Sequence, residues 1–404
     1  MILAGYFLLT LHLFTSNDDN NKSAVLPGII PLLLIVSFAF SLGALWGMWV
    51  SERELFNSVD MLVPLLFVPI IFMLSFAKRY KNITAILFCV LISAGLGLRL
   101  LALKMTPFPP IDTFIMLNEA PRKLLLGANP YTQMFTHVFP AVTSDYFTYW
   151  PAAFLLQLPF VALLGDPRFL FILSDMAAAL LLFLIGGRSA TSMALSILFL
   201  FRPYSMYLIE GSWLSPLNFV LILLCLYLLH KKAPAWMSGV VVGLVTGVQF
   251  FHAVLFLIIG KYLGWSKKFI AGFFITVVAL VVPYFLAAPR DFLSDTVFFY
   301  FRNPPHPAVL IHESLNVNAL FYYFFHHDIS AVLLNGILLI ALGASLWDQK
   351  KDVLSVAKNI LFFFYTFFVF GRQAFVNYYF FIASLTLTVL AFELVETKKG
   401  KELA

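Results

Sequence analysis

The stretch from Ile83 to Leu103 reads ITAILFCVLISAGLGLRLLAL, with Arg99 as its one charged side chain. It runs for the roughly 20 residues that a helix needs to cross the hydrocarbon core of a bilayer. Its apolar residues are continuous rather than alternating, which predicts a helix and not a barrel strand. Similar runs recur at Leu26 to Val50, Met61 to Phe76, Phe169 to Ile185 and Phe269 to Ala288. The whole chain of 404 residues is 61% hydrophobic and 11% charged, too little polar surface to cover a water-soluble globule of that size. The expected fold class is an all-α polytopic membrane protein with about eleven transmembrane helices.

The net charge of +6 is no nucleic-acid signature, because the Lys and Arg residues form short clusters between apolar runs and not a stripe. Cys89 and Cys225 sit inside apolar runs without ligand partners nearby and read as inert core residues. The first fifteen residues are apolar but lack a basic start and a small-residue cleavage site, so they read as a retained span.

Topology explains the basic clusters. Lys78 to Lys81, Lys231-Lys232, Lys267-Lys268, Lys350-Lys351 and Lys398-Lys399 all belong in the cytoplasm by the positive-inside rule. That holds only if Pro151 to Leu164, which carries Pro151 and Pro159, is juxtamembrane or re-entrant, and if Trp236 to Leu263 is a hairpin or broken helix around Gln249 and His252. The external stretches are then 104–168, 201–213 and 289–328, joined by the turn Gly371 to Asn377. Residues 1–82 read as appended N-terminal segments, 83–396 as the main membrane domain and 397–404 as a cytoplasmic tail.

The first long external loop opens with Pro107-Phe108-Pro109-Pro110-Ile111-Asp112. Prolines stop the preceding helix, and a new helical stretch follows, interrupted at Pro121, where a second turn is expected to start. Asp112 and Glu119 then share a face, with Arg122 and Lys123 about one turn beyond. A carboxylate at a helix start beside basic groups suits a general base; it also suits a plain cap for free backbone N–H groups. Position alone leaves both open.

Further motifs bear on that choice. Asp112 with Ala120 to Tyr131 (APRKLLLGANPY), Tyr146 to Pro151 (YFTYWP), Gly165-Asp166-Pro167-Arg168, Arg202-Pro203, Glu210 to Trp213 and Arg372 to Tyr379 together resemble the GT-C glycosyltransferases. Within that superfamily the likeness is to polyprenol-phosphate-mannose-dependent mannosyltransferases, PIG-M-like enzymes and their bacterial relatives. It covers roughly residues 83–395. The resemblance implies a helical bundle that moves a sugar, mannose in the first place, from a polyprenyl-phosphate donor to a glycolipid or glycan acceptor with inversion. It also implies that an acid in the first external loop is the catalytic base, here Asp112. Such enzymes often carry two acids there; Pro110 and Phe114 occupy the neighbouring positions, so Asp112 acts alone or with Glu119 or Asp145.

A lipid-phosphate leaving group calls for cations, and Arg is suited to phosphate through its planar fork. Arg372 is the first candidate, followed by Arg302, Arg202 and Lys123, with Arg122 and Arg290 also external; each also fits a membrane-edge anchor. Tyr131, Tyr149, Trp150, Glu210, Trp213, His306, His312 and Asn316 are candidates for sugar or acceptor contact; the aromatics equally fit an interfacial belt. His312-Glu313 with His326-His327-Asp328 is rich in metal ligands but matches no zinc spacing, so no cofactor is expected and a divalent metal stays open. No phosphate-cradling glycine loop points to a nucleotide sugar. Two other functions fit the same pattern: a transporter or flippase of lipid-linked sugars, and a non-catalytic subunit of this fold.

Overall fold

The computed structural model describes residues 83–138, 144–202, 205–301, 309–347 and 349–403, with the backbone alone for Phe301 and beyond residue 396. The appended segments 1–82 with the basic cluster Lys78 to Lys81, and the candidates Pro203, Arg302 and His306, lie outside the described residues.

Every regular element among the described residues is helical. In chain order these are α1 (Thr84–Met105), α2 (Asp112–Leu125), α3 (Ala152–Leu155), α4 (Leu158–Leu164), α5 (Arg168–Ile185), α6 (Ala190–Leu200), α7 (Ser205–Glu210) and α8 (Ser215–His230). They continue with α9 (Ala235–Val248), α10 (Val254–Tyr262), α11 (Lys267–Ala287), α12 (Pro289–Thr296), α13 (Val317–Phe325), α14 (Ala331–Trp347), α15 (Val353–Phe370) and α16 (Val376–Leu403). Five of them, α1, α5, α11, α15 and α16, are long and apolar enough to cross a membrane. Six shorter apolar stretches of 10–17 residues accompany them, so the chain is an all-helical integral membrane protein.

The segments expected to be irregular are broken in the structure. Pro151 to Leu164 forms the two short helices α3 and α4. Trp236 to Leu263 breaks at Gln249, which is extended (φ −145°, ψ 122°) between α9 and a short 3-10 turn leading into α10. One expectation is corrected: α2 runs unbroken through Pro121. Met116, Leu117, Ala120 and Pro121 are all buried on one side of it, and that packing outweighs the hydrogen bond the proline cannot donate. Cys225 is buried as expected, whereas Cys89 lies on an exposed face of α1.

The chain folds as two compact units, one containing residues up to Pro109 with Phe171–Gly211 and Ala383 onward, the other Pro110–Leu170 and Ser212–Ile382. The first unit is organised around the fully buried Arg99 of α1. Its guanidinium meets the Asp175 carboxylate of α5 at 2.7 Å and donates to the Leu200 carbonyl at the end of α6 at 3.2 Å. Gly95, one turn before, faces the Leu200 and Phe201 side chains. In hydrocarbon an unpaired Arg is costly, so the pair fixes the contact between α1 and α5.

In the second unit, α9 and α11 run side by side and parallel. A Cβ at Gly239 or Gly243 would collide with the backbone of Phe269 or with Thr276, and at Gly247 with Leu280. This small-residue face is what lets two membrane helices approach at backbone distance. Helix α8 returns antiparallel to α9, with Cys225 near the Ser238 carbonyl at one end and Asn218 bonded to Gln249 at the other (2.6 Å). The ends of this unit differ in chemistry. Lys231, Lys232, Lys267, Lys268, Lys350 and Lys351 all fall in turns at the start of α9, α11 and α15. The end where α9 and α11 finish and α16 begins carries the polar loops described next.

Candidate functional site

Helix α1 ends at Met105 ahead of the prolines, and α2 begins at Asp112. Asp112 is half-buried, and its Oδ1 accepts from the Thr113 amide at 2.7 Å. Ile111 occupies the cap position, so Asp112 serves the first helical turn with one oxygen. Burial raises its carboxyl above the ordinary value, against the lowering effect of the Thr113 amide.

Three tyrosines feel the charge of this carboxylate. Tyr146, Tyr149 and Tyr300 all lie within reach of the Asp112 charge. Burial first, and that charge second for Tyr146 and Tyr149, push their phenols upward. Burial likewise raises Tyr300, which is hydrogen-bonded to the Thr148 side chain. All three therefore stay neutral hydroxyls, able to donate or accept. Tyr378 of α16 adjoins Tyr149 and Tyr300 and hydrogen-bonds with Gln249, the residue at which α9 breaks.

The loop that presents Tyr146 to Trp150 is held at several points. Asp295 accepts from the Phe147 amide at 2.8 Å, and the Val248 carbonyl, at the end of α9, accepts from the Trp150 amide at 3.1 Å. The Tyr131 hydroxyl donates to the Tyr149 carbonyl at 2.8 Å. Tyr131 itself is 2% exposed among Phe147, Phe154, Tyr284 and Phe292. Its side chain positions the loop from inside the core. The Trp150 ring is half-buried between Phe250 and Phe292.

The other acids are tied up differently. Glu119 accepts from the Thr136 amide at 3.3 Å and from the Thr136 hydroxyl, and pairs with Lys123 at 3.8 Å, so it pins the following loop to α2. Lys123 also lies over the Phe135 ring. Asp145 is exposed, next to Tyr146. Arg122 donates to the Gly165 carbonyl at 2.7 Å; Gly165 adopts the left-handed backbone (φ 75°) that ends α4.

Arg372 is exposed in the turn between α15 and α16 and donates through Nη1 to the Tyr300 carbonyl. Its charge also reaches Asp328. Asp328 Oδ1 accepts from Asn318 at 2.8 Å and lies 2.9 Å from His312 Nε2, whose ring stacks on Tyr322. Burial acts upward on Asp328, but the bonds from Asn318 and His312 and the charges of His312 and Arg372 outweigh it and hold the carboxyl below its usual value. Asn316 caps α13 through the Ala319 amide (2.8 Å) and donates to the Gly371 carbonyl (3.0 Å), anchoring the turn that carries Arg372.

The structure thus brings Asp112, Tyr149, Arg372 and His312 into one unit, linked through Tyr300. Arg202 and Glu210 are buried in the other unit, where Arg202 donates to Ser384 at 2.7 Å; Trp213 belongs to the unit of Asp112. Arg290 is exposed in the first turn of α12. Among the described residues no three His, Cys, Asp or Glu side chains gather as a metal site. Sequence reading overlooks Tyr300 and Tyr378, because each lies in an aromatic run that resembles ordinary membrane packing. Asp328 figures there only in the metal-ligand set.

These features define a class: a multi-span helical membrane protein with a half-buried carboxylate, whose charge reaches several tyrosines, at one end of a helical unit. No protein-family model matches the sequence, and no curated protein matches it.

Proposed function

We propose that this protein is an inverting glycosyltransferase that moves a sugar from a polyprenyl-phosphate donor to a glycolipid or glycan hydroxyl, with Asp112 as general base. The observation that carries the reading is the carboxylate itself: burial lifts its proton affinity above that of an ordinary aspartate, and the neutral phenols of Tyr146, Tyr149 and Tyr300 lie within reach of its charge. A base poised in this way suits removal of a proton from an alcohol as it attacks.

The acceptor oxygen forms a bond to the anomeric carbon while the bond from that carbon to the phosphate oxygen breaks. The acceptor proton passes to Asp112, and the electron pair leaves with the lipid phosphate. Arg372 meets the developing phosphate charge, since one guanidinium N–H is fixed on the Tyr300 carbonyl and the exposed remainder faces solvent. His312 and Trp150 supply polar and aromatic contacts for the sugar, and mannose is the first sugar to try. No metal or other cofactor takes part in this scheme.

The site faces the non-cytoplasmic side, because the lysine-bearing turns gather at the opposite end of the same unit. From the apolar runs of the sequence, we propose about eleven membrane spans. Incubation of the purified protein with labelled polyprenyl-phosphate mannose and membrane glycolipid, followed by nuclear magnetic resonance of the product anomer, tests the proposal. Inverted configuration is expected. Retention, or no transfer to any lipid or glycan acceptor, contradicts it.

A further inference from the structure

The end of the second unit opposite Asp112 carries exposed groups for which the transfer reaction has no use. Two turns meet there, one from α10 to α11 and one from α14 to α15. They are tied across by Lys261, whose ammonium caps the Leu346 carbonyl, and by Gln349, whose amide donates to the Ile258 carbonyl at 2.9 Å. The first turn presents Trp265, Lys267 and Lys268, and the second presents Trp347, Lys350 and Lys351, all exposed.

Several elements of this arrangement favour an anionic partner. Lys267 and Lys268 occupy the first turn of α11, where the positive end of the helix dipole repels them. Lys350 and Lys351 stand immediately before α15, at another positive helix end. Trp347 is 90% exposed and Trp265 46%, side by side with these charges. Among the described residues of this turn the carboxylate is Asp352, which is occupied in capping α15 through the Ser355 amide at 2.7 Å. Indole rings prefer the headgroup level of a bilayer, and lysines beside them find their counter-charge in lipid phosphates.

We infer that these paired turns form a binding site for the headgroup of an anionic phospholipid in the adjoining leaflet, its phosphate between the Lys267-Lys268 and Lys350-Lys351 turns and its acyl chains along the exposed face of α14. The apolar exposure supports that route: Leu339 and Ile340 of α14 are exposed, as are Phe274 and Ile275 of α11. The site is independent of the transfer reading, since it lies at the other end of the unit.

The test uses the full-length protein in nanodiscs of phosphatidylcholine with increasing phosphatidylglycerol, read by thermal unfolding and by native mass spectrometry of retained lipid. Wild type should gain stability with phosphatidylglycerol and retain it on release from the disc. Lys267→Gln/Lys268→Gln and Lys350→Gln/Lys351→Gln, made separately, should match wild type in pure phosphatidylcholine and lose affinity for phosphatidylglycerol about tenfold or more, from roughly one neutralised charge interaction per lysine. Lys→Arg replacements at the same positions should keep it. Equal phosphatidylglycerol retention by wild type and both Gln variants overturns the inference, and so does retention that follows Lys231→Gln/Lys232→Gln instead.

Discussion

Arg372 donates to the main-chain carbonyl of Tyr300, and the phenol of that same tyrosine stands within the field of Asp112. The two charged groups that a phosphate-leaving reaction needs are therefore linked through one residue, although they are far apart in the chain. The charge of Arg372 also reaches Asp328, which His312 and Asn318 hold.

Arg372 should consequently be sensitive to shape as well as charge. Arg372→Lys keeps the cation but loses the planar fork. We expect the donor kcat/KM of Arg372→Lys to fall about tenfold and that of Arg372→Gln about a hundredfold, the loss of one to two charge-assisted hydrogen bonds. Steady-state kinetics with varied donor check this; an unchanged donor kcat/KM in Arg372→Gln removes the phosphate role.

The raised Asp112 carboxyl has two linked consequences. Because the proposed transfer would require the ionised form, the acid limb of the pH–rate profile should lie above the ordinary aspartate value of 3.8. The folded state holds this proton more tightly than the unfolded chain, so Asp112 favours folding at low pH and that contribution is lost as pH rises through the folded value. Asp112→Asn, which keeps an acceptor for the Thr113 amide, should then be at least as stable as wild type at neutral pH. A gain in melting temperature on the order of a degree or two is expected, shrinking towards acid pH. Calorimetry at two pH values decides it, and a marked loss of stability at neutral pH contradicts the burial account.

Arg99 and Asp175 should behave as a buried pair. Removing one partner strands the other charge, so Arg99→Met or Asp175→Leu should cost about 3–5 kcal/mol. The double variant Arg99→Met/Asp175→Leu should recover much of that loss. Thermal unfolding in detergent measures all three, and additive losses in the double variant exclude the pairing as a stabilising unit.

Orientation can be read with single cysteines on a background lacking Cys89 and Cys225. Leu126 is 85% exposed beside the Asp112 helix, and Trp347 is exposed among the lysines. A membrane-impermeant thiol reagent applied to intact cells should label Leu126→Cys and spare Trp347→Cys. The reverse pattern inverts the topology.

Much of this is legible in the sequence alone. The run from Ile83 to Leu103 announces a membrane helix by length and continuity alone, and the prolines before Asp112 announce a new helix start. Gln249 marks a break because a polar amide amid valines and glycines needs an internal partner, which Asn218 supplies. Pairings between distant residues were not legible. Nothing local to Arg99 points to Asp175, 76 positions away, and nothing local to His312 points to Asp328. Tyr131 reads as an aromatic at a membrane edge; only the folded loop shows its hydroxyl spent on the Tyr149 carbonyl. Tyr300 is masked by its neighbours Phe298, Phe299 and Phe301, since a phenol in an aromatic run carries no sign of the carboxylate it will meet.

The central claim is that the Asp112 carboxylate takes the acceptor proton. Its most direct test is single-turnover transfer from labelled polyprenyl-phosphate mannose by wild type and Asp112→Asn, both shown to be folded by their melting curves and to bind donor equally. The Asn variant should bind donor with unchanged affinity and transfer sugar at least about a hundredfold more slowly, the contribution of a general base. Transfer by Asp112→Asn at the wild-type rate would contradict it.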